Sequence, residues 1–238
     1  EVGRLSTSIE RMAARLGSLV TGQKRFLGDT AHELRSPLGR MQVALEILDT
    51  RSEESERVYV RDLKEDVQAL GRLTDDLLQY ARSELSDRAV TLLPVNVARA
   101  VATVVARERP ADADIEVHVP TDIFVKADPA LFDRALANLV RNAMNYAGRS
   151  GPIEIAGGRE GHDMVITVSD TGPGVAADSI DRIFEPFYRE DQARNRKTGG
   201  VGLGLAIVRS AVEACGGTVS CRNRQPHGLE VRLVFRVA

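Results

Sequence analysis

The sequence predicts an α plus α/β chain, a helical N-terminal part followed by a two-layer α/β sandwich. Three observations predict it. Apolar residues recur at alternating spacings of three and four in three tracts that end at Ala81. Composition then changes near residue 90, after the polar run Ser83 to Ala89. Beyond that point, short alternating runs rich in Val and Ile are interspersed with helical-period runs.

The first tract is Val2, Leu5, Ile9, Met12, Leu16 and Leu19, and it reads as a coiled-coil helix over residues 1–20. The second is Leu27, Ala31, Leu34, Leu38, Met41, Leu45 and Leu48. The third is Val60, Leu63, Val67, Leu70, Thr74, Leu77 and Ala81. Each is a narrow a/d seam, and a lone helix with such a seam hides too little surface to be stable. The polar stretch Thr50 to Glu56 joins the last two into an antiparallel hairpin over residues 21–86. Two helices make half a bundle, so a homodimeric four-helix bundle is the economical solution. The first two tracts are out of register by one residue between Leu19 and Leu27, where Gly22 sits. Such an insertion unwinds or breaks a coiled coil.

Residues 90–238 form the second part. Ile115 to Val119 and Met164 to Val168 read as strands, Asp128 to Ala147 and Leu205 to Ala214 as helices. Glu230 to Val237 alternates as a final strand.

Composition bounds the function. The 238 residues carry 32 Lys and Arg against 34 Asp and Glu, a net charge of −2, which gives no electrostatic footprint for nucleic acid or a membrane surface. Cys215 and Cys221 show no metal-ligand spacing and read as thiols of a reducing compartment. No apolar run approaches the ~18 residues that span a bilayer. The chain starts without Met and inside a periodic helix, so a fragment of a longer protein is expected.

The most informative stretch is Ala31-His32-Glu33-Leu34-Arg35-Ser36-Pro37-Leu38. His32 and Ser36 are i and i+4, hence on one helix face. The seam assigns His32, Glu33 and Ser36 to b, c and f, so the bundle presents all three to solvent. Imidazole is well suited to attack phosphorus near neutral pH. Pro37 removes an N–H and leaves the carbonyl of Glu33 without its helical partner, so a bend is expected there.

Further along, Asn138 and Asn142 are again i and i+4. An amide oxygen is a hard ligand, and Asn142 is a candidate for Mg²⁺, which keeps most of its waters and bridges phosphates. Asp170 ends a strand and enters Thr171-Gly172-Pro173-Gly174. Its carboxylate can accept from the exocyclic amine of adenine, and Gly172 and Gly174 let the backbone approach a ring. Gly200-Val201-Gly202-Leu203-Gly204 leads into a helix whose free N–H groups favour phosphate. Between Phe184-Glu185-Pro186-Phe187-Tyr188 and these glycines lies a basic segment with Arg189, Arg194, Arg196 and Lys197, read as a lid over a triphosphate.

The order and spacing of these parts resembles the bacterial two-component sensor histidine kinases over essentially the whole chain. His32 to Pro37 is similar to the family's phosphoacceptor box, Asn138 to Tyr146 to its N box, and Asp170 to Gly174 to its first glycine box. Phe184 to Phe187 resembles the F box and Gly200 to Gly204 the second glycine box. Residues 1–20 resemble the end of a HAMP signalling module. The resemblance implies a sandwich of the GHKL (Bergerat) type, ATP and Mg²⁺ as ligands, and a cytoplasmic portion of a bacterial inner-membrane sensor. It implies that His32 accepts the γ-phosphoryl group of ATP, aided by Glu33, and passes it to an aspartate on a response-regulator receiver domain. It further implies that Tyr146 packs on adenine and that Ser36 orients a water that dephosphorylates the regulator. Two positions depart from the pattern. Ser36 stands where Thr or Asn is usual, and Asn145 where Lys or Arg commonly precedes the tyrosine. Arg189 or Lys197 is the expected substitute for that missing charge.

Two rivals remain at this point. One is a GHKL ATPase clamp of the heat-shock chaperone or mismatch-repair kind, which carries Glu as general base where this chain has Asn138. The other is a dimeric scaffold without activity, which has no need to keep Asp170 and the glycines. Phosphate released from ATP, compared with phosphate retained on protein, separates the three.

Overall fold

The computed structural model describes residues 30, 34–50, 57–85, 90–109, 113–147, 151–189 and 202–238. The chain divides into two compact units, Glu1–Asp87 and Arg88–Ala238.

In the first unit a helix over 34–50 (α1) pairs with Arg57–Leu85 (α2). Cross-helix contacts set an antiparallel register: Arg35 pairs with Asp75, Gly71 faces Gln42, and Lys64 Nζ lies 3.4 Å from Asp49 Oδ2. Leu38, Leu45, Val60 and Val67 form the buried cluster. Thr74 joins this row, its hydroxyl donating to the Leu70 carbonyl at 2.9 Å, which satisfies a buried polar group inside its own helix. α1 runs helical through Pro37.

The predicted seam is thereby split. Every described a position named above is buried: Leu38, Leu45, Val60, Val67 and Thr74. Leu34, Met41, Leu48, Leu63 and Leu70, all d positions, are 45–53% exposed. The hairpin closes its a row on itself and leaves most of its d row open, Leu77 being half-buried. Leu78 corrects the seam as read, since it is buried at an e position that the pattern left out. The first tract, its register break, the expected HAMP end, Leu27, Ala31 and residues 51–56 of the connecting turn lie outside the described residues.

The second unit runs β1 (Leu93–Asn96), α3 (Val97–Glu108), β2 (Ile115–His118), β3 (Phe124–Ala127), α4 (Pro129–Ala147), β4 (Ile153–Glu160), β5 (Asp163–Ser169), α5 (Gly204–Ala214), β6 (Thr218–Asn223) and β7 (Leu229–Arg236). β1 and β3 make a small antiparallel pair. The main sheet has the order β2-β4-β5-β7-β6, with β2 parallel to β4 and the other pairs antiparallel. The strands seen in the sequence hold to within a residue or so at their ends. β1, β3, β4, β6 and α3 are additions. Strands therefore come in pairs between helices rather than in simple alternation.

Local chemistry fixes the helix starts. Asn96 caps α3 by accepting from Arg99 N at 2.8 Å, and Asp128 caps α4 by accepting from Ala130 N at 2.9 Å and Leu131 N at 3.1 Å. Pro129 follows Asp128 as the first helical residue, where its missing N–H costs nothing. Inward residues of β7 (Leu229, Val231, Leu233, Phe235) alternate with more exposed ones and meet Phe132, Leu136 and Leu139 of α4. Phe132 and Phe235 stack edge to face at 5.1 Å. α4 packs against both α3 and α5. It is the helix around which the site is built.

Candidate nucleotide site

Four of the sequence motifs meet around α4. Asn138 is buried, and its Nδ2 donates to the Arg134 carbonyl at 3.0 Å, one turn back. That bond fixes the amide and turns Oδ1 outward as the acceptor end, where Arg141 Nη2 meets it at 3.4 Å. A Cβ placed on Gly204, the first residue of α5, would stand 3.7 Å from that same oxygen. The N box and the second glycine box therefore face each other across the packed helices α4 and α5. One turn on, Asn142 is half-buried, and Tyr146 near the helix end is 37% exposed. The Tyr146 side chain is free to take a planar partner, while its backbone carbonyl seats the next motif. A Cβ on Gly172 would lie 2.7 Å from that carbonyl, so only glycine fits.

Asp170 leaves the end of β5 and is nearly fully buried. Its Oδ1 accepts from Gly172 N at 2.8 Å and Leu229 N at 3.2 Å. Burial pushes its pKa above the ordinary carboxylate value, while those two N–H groups and the Arg224 charge pull it back. The second oxygen remains to read a donor.

Three residues that sequence reasoning passed over hold this loop. Gly228 has φ +113°, and a Cβ there would fall 2.1 Å from the Asp170 carbonyl oxygen. Asn223 on β6 clasps Val175, accepting from its N at 2.9 Å and donating to its O at 2.6 Å. His227 Nδ1 lies 3.1 Å from the Thr171 carbonyl. Gly174, with φ +76°, has room for no side chain because a Cβ would meet Asn223 Oδ1 at 2.7 Å. In the sequence, Pro226-His227-Gly228 signals only a turn, and Asn223 only a strand end.

The F box closes the other side. Phe184 is buried under the Arg209 guanidinium, which sits 4.7 Å from its ring centre. Tyr188 donates to Ser179 Oγ at 2.8 Å and carries Arg182 over its ring at 4.3 Å. Phe187 N donates to the Gly202 carbonyl at 3.0 Å. Gly202 has φ +79°, and a Cβ on it would strike the Tyr188 carbonyl at 2.6 Å and approach Arg189 Cγ at 3.1 Å. Leu203 is buried and makes no side-chain cap for α5, so its side chain does not occupy the first N–H groups of that helix. Gly200 and the lid residues Arg194, Arg196 and Lys197 lie outside the described residues.

In the helical unit, Ser36 is exposed and its Oγ accepts from Arg40 Nη1 at 2.7 Å. His32 and Glu33 lie outside the described residues. Among the described residues no three His, Cys, Asp or Glu gather as a metal cluster, and no helix is long and apolar enough to cross a membrane.

Comparison with known proteins matches this geometry. Residues 127–238 match the family described as histidine kinase-, DNA gyrase B-, and HSP90-like ATPase. Residues 23–86 match the His kinase A (phospho-acceptor) domain. The chain belongs to the sensor histidine kinases. It is 34% identical to the sensor protein RstB of Escherichia coli over 92% of this chain and 50% of that one. It is 35% identical to the sensor protein IrlS of Burkholderia pseudomallei over 99% and 51%, and 34% identical to the E. coli sensor histidine kinase CpxA over 94% and 49%. The chain spans about half the length of these relatives. Among solved structures, full-length ShkA in complex with AMPPNP aligns with a TM-score of 0.71 at 28% identity, covering 90% of this kinase chain and 46% of ShkA. The Acinetobacter baumannii histidine kinase AdeS aligns at 0.61 and 25% identity, covering 86% and 97%.

Proposed function

We propose that the α/β unit binds ATP and phosphorylates His32, and that phosphohistidine then serves an aspartate on a response-regulator receiver domain. The observation that carries the reading is the meeting at α4 of Asn138, Asp170, Gly172, Gly202 and Gly204, a cradle in which Gly172 and Gly202 leave no space for a Cβ. Adenine would lie between Tyr146 and the Asp170 loop, with the free Asp170 oxygen accepting from its exocyclic amine. The phosphates would run toward the uncapped start of α5. Asn142, a hard amide donor one turn from Asn138, fits Mg²⁺, which would neutralise phosphate charge when bound.

In the transfer, an imidazole nitrogen of His32 forms the new N–P bond as the bond from the γ-phosphorus to the β,γ-bridging oxygen breaks. ADP leaves, and Glu33 takes the imidazole proton. The residues of the α/β unit contribute positioning and charge, not covalent chemistry. The open d row of the hairpin supports a homodimer, in which a second copy supplies the missing half of a four-helix bundle. Ser36 supports a phosphatase step toward the regulator, since its hydroxyl is exposed on the face that the spacing gives to His32. The relatives' names further support a sensor, and the sequence resemblance supports reading these two units as the cytoplasmic portion of an inner-membrane protein with a HAMP end at residues 1–20.

The test is labelling with γ-³²P-ATP and Mg²⁺. Label should be lost in acid and kept in base, as a phosphoramidate. His32→Gln should abolish it with ATP affinity unchanged. Ser36→Ala should keep labelling and slow dephosphorylation of the regulator. Acid-stable label, or label in His32→Gln, would exclude the assignment.

A further inference from the structure

Arg141 is one turn of α4 from Asn145, the position where the resembling family carries a cation, and on the same side as Asn138. Its Nη2 lies 3.4 Å from Asn138 Oδ1 and its Nε 3.3 Å from the Ala137 carbonyl. Both are long for N–H···O bonds. Its one anionic neighbour among the described residues is Glu108 on α3, at 3.8 Å. Arg107 Nε donates to the other oxygen of that carboxylate, Oε1, at 2.9 Å, so Glu108 is shared between two arginines and holds Arg141 only at ion-pair distance through Oε2. Arg141 is thus a half-buried guanidinium whose neighbours use little of its hydrogen-bonding capacity. It sits against the oxygen that faces Gly204 at the start of α5.

We propose that Arg141 binds the terminal phosphate of the nucleotide and supplies the charge missing at Asn145. This rests on the nucleotide reading above, and it places the cation on the rigid helix rather than on the lid. Three features support it. The guanidinium is tethered loosely enough to turn, and its five donors suit a phosphate better than the single amide oxygen it now meets. It also lies beside Asn138, at the end of the cradle where α5 begins and away from Tyr146 and Asp170, so a ligand ending at its β-phosphate has less to offer it.

The expected signature is discrimination between ATP and ADP. In the full chain, calorimetric titration with Mg-ATP and Mg-ADP should show that Arg141→Gln lowers ATP affinity by about tenfold, the loss of one charge-assisted contact, with ADP affinity held. Arg141→Lys should recover part of the preference. Glu108→Gln removes the same inter-helix contact but leaves the cation, and it should keep the preference. Equal losses for ATP and ADP in Arg141→Gln, no change for either, or an equal loss in Glu108→Gln would each overturn the proposal. If the unaltered chain binds neither nucleotide, the nucleotide reading itself fails, which is a separate result.

Discussion

The two units of this kinase core solve the burial problem differently. The α/β unit closes on itself: Val97, Val104, Met164, Ile166, Ile207, Val208 and Leu233 are at 0% exposure, sealed between one sheet face and three helices. The hairpin does not. Its buried residues stay at 3–8%, and five large apolar side chains on its d row are about half exposed. A sheet with helices laid across it encloses a core within one chain, whereas two helices cover only one side of each other. The unit that holds the candidate nucleotide cradle encloses its own core, and the unit that holds the candidate phosphoacceptor leaves an apolar row that the proposed second copy would cover.

The sharpest way to break this contrast is on the open row. Leu63→Glu with Leu70→Glu removes four leucines from a symmetric interface, each worth about 1.5–3 kcal/mol when buried. Sedimentation should show monomers, while ATP affinity of the α/β unit stays unchanged. A dimer that survives would mean that the row is not the contact, and a lost ATP site would mean that the units are not independent.

The next largest effect lies inside the closed unit. Gly228→Ala forces a Cβ onto the Asp170 carbonyl at a φ that side chains avoid, and should cost about 3 kcal/mol of stability. Denaturant titration of the α/β unit should record this together with weakened ATP binding. The hairpin's dimerisation should not move.

Asp170→Asn should act more gently, on binding rather than folding, with a loss of ~1–3 kcal/mol in ATP affinity. The wild-type pH dependence follows from burial. Because the folded pKa of Asp170 is raised, its ionised form costs stability at neutral pH. That cost shrinks as pH falls through the raised value and is gone once pH lies below the ordinary carboxylate value. Protonation also removes the acceptor, so ATP affinity should drop as pH falls through the raised value. Asp170→Asn should lack that drop. An identical pH profile in both would detach Asp170 from adenine.

Much of this was legible in the chain. The heptad spacing gave the hairpin helices, because a 3.5-residue repeat is a local property. The glycines, Asn138 and Asp170 stood out because close backbone approach and buried polarity demand those residue types. β7 was readable from its strict alternation. β1 and β3, four residues each, were not, since pairs that short take their stability from a distant partner. α3 was hidden by its own composition: Val97, Val101, Val104 and Val105 carry weak helix propensity, and burial overrides it.

What the sequence alone determined is the inventory: the hairpin helices, α4 and α5, where the units divide, and which residue types are candidates for phosphate and metal chemistry. What only the tertiary structure decided is adjacency. That Gly228 abuts Asp170, that Asn223 clasps Val175 across 48 residues, and that half of a uniform seam is buried and half is open depend on contacts between segments far apart in the chain. Periodicity records the direction a side chain faces; whether anything stands opposite is set by the fold.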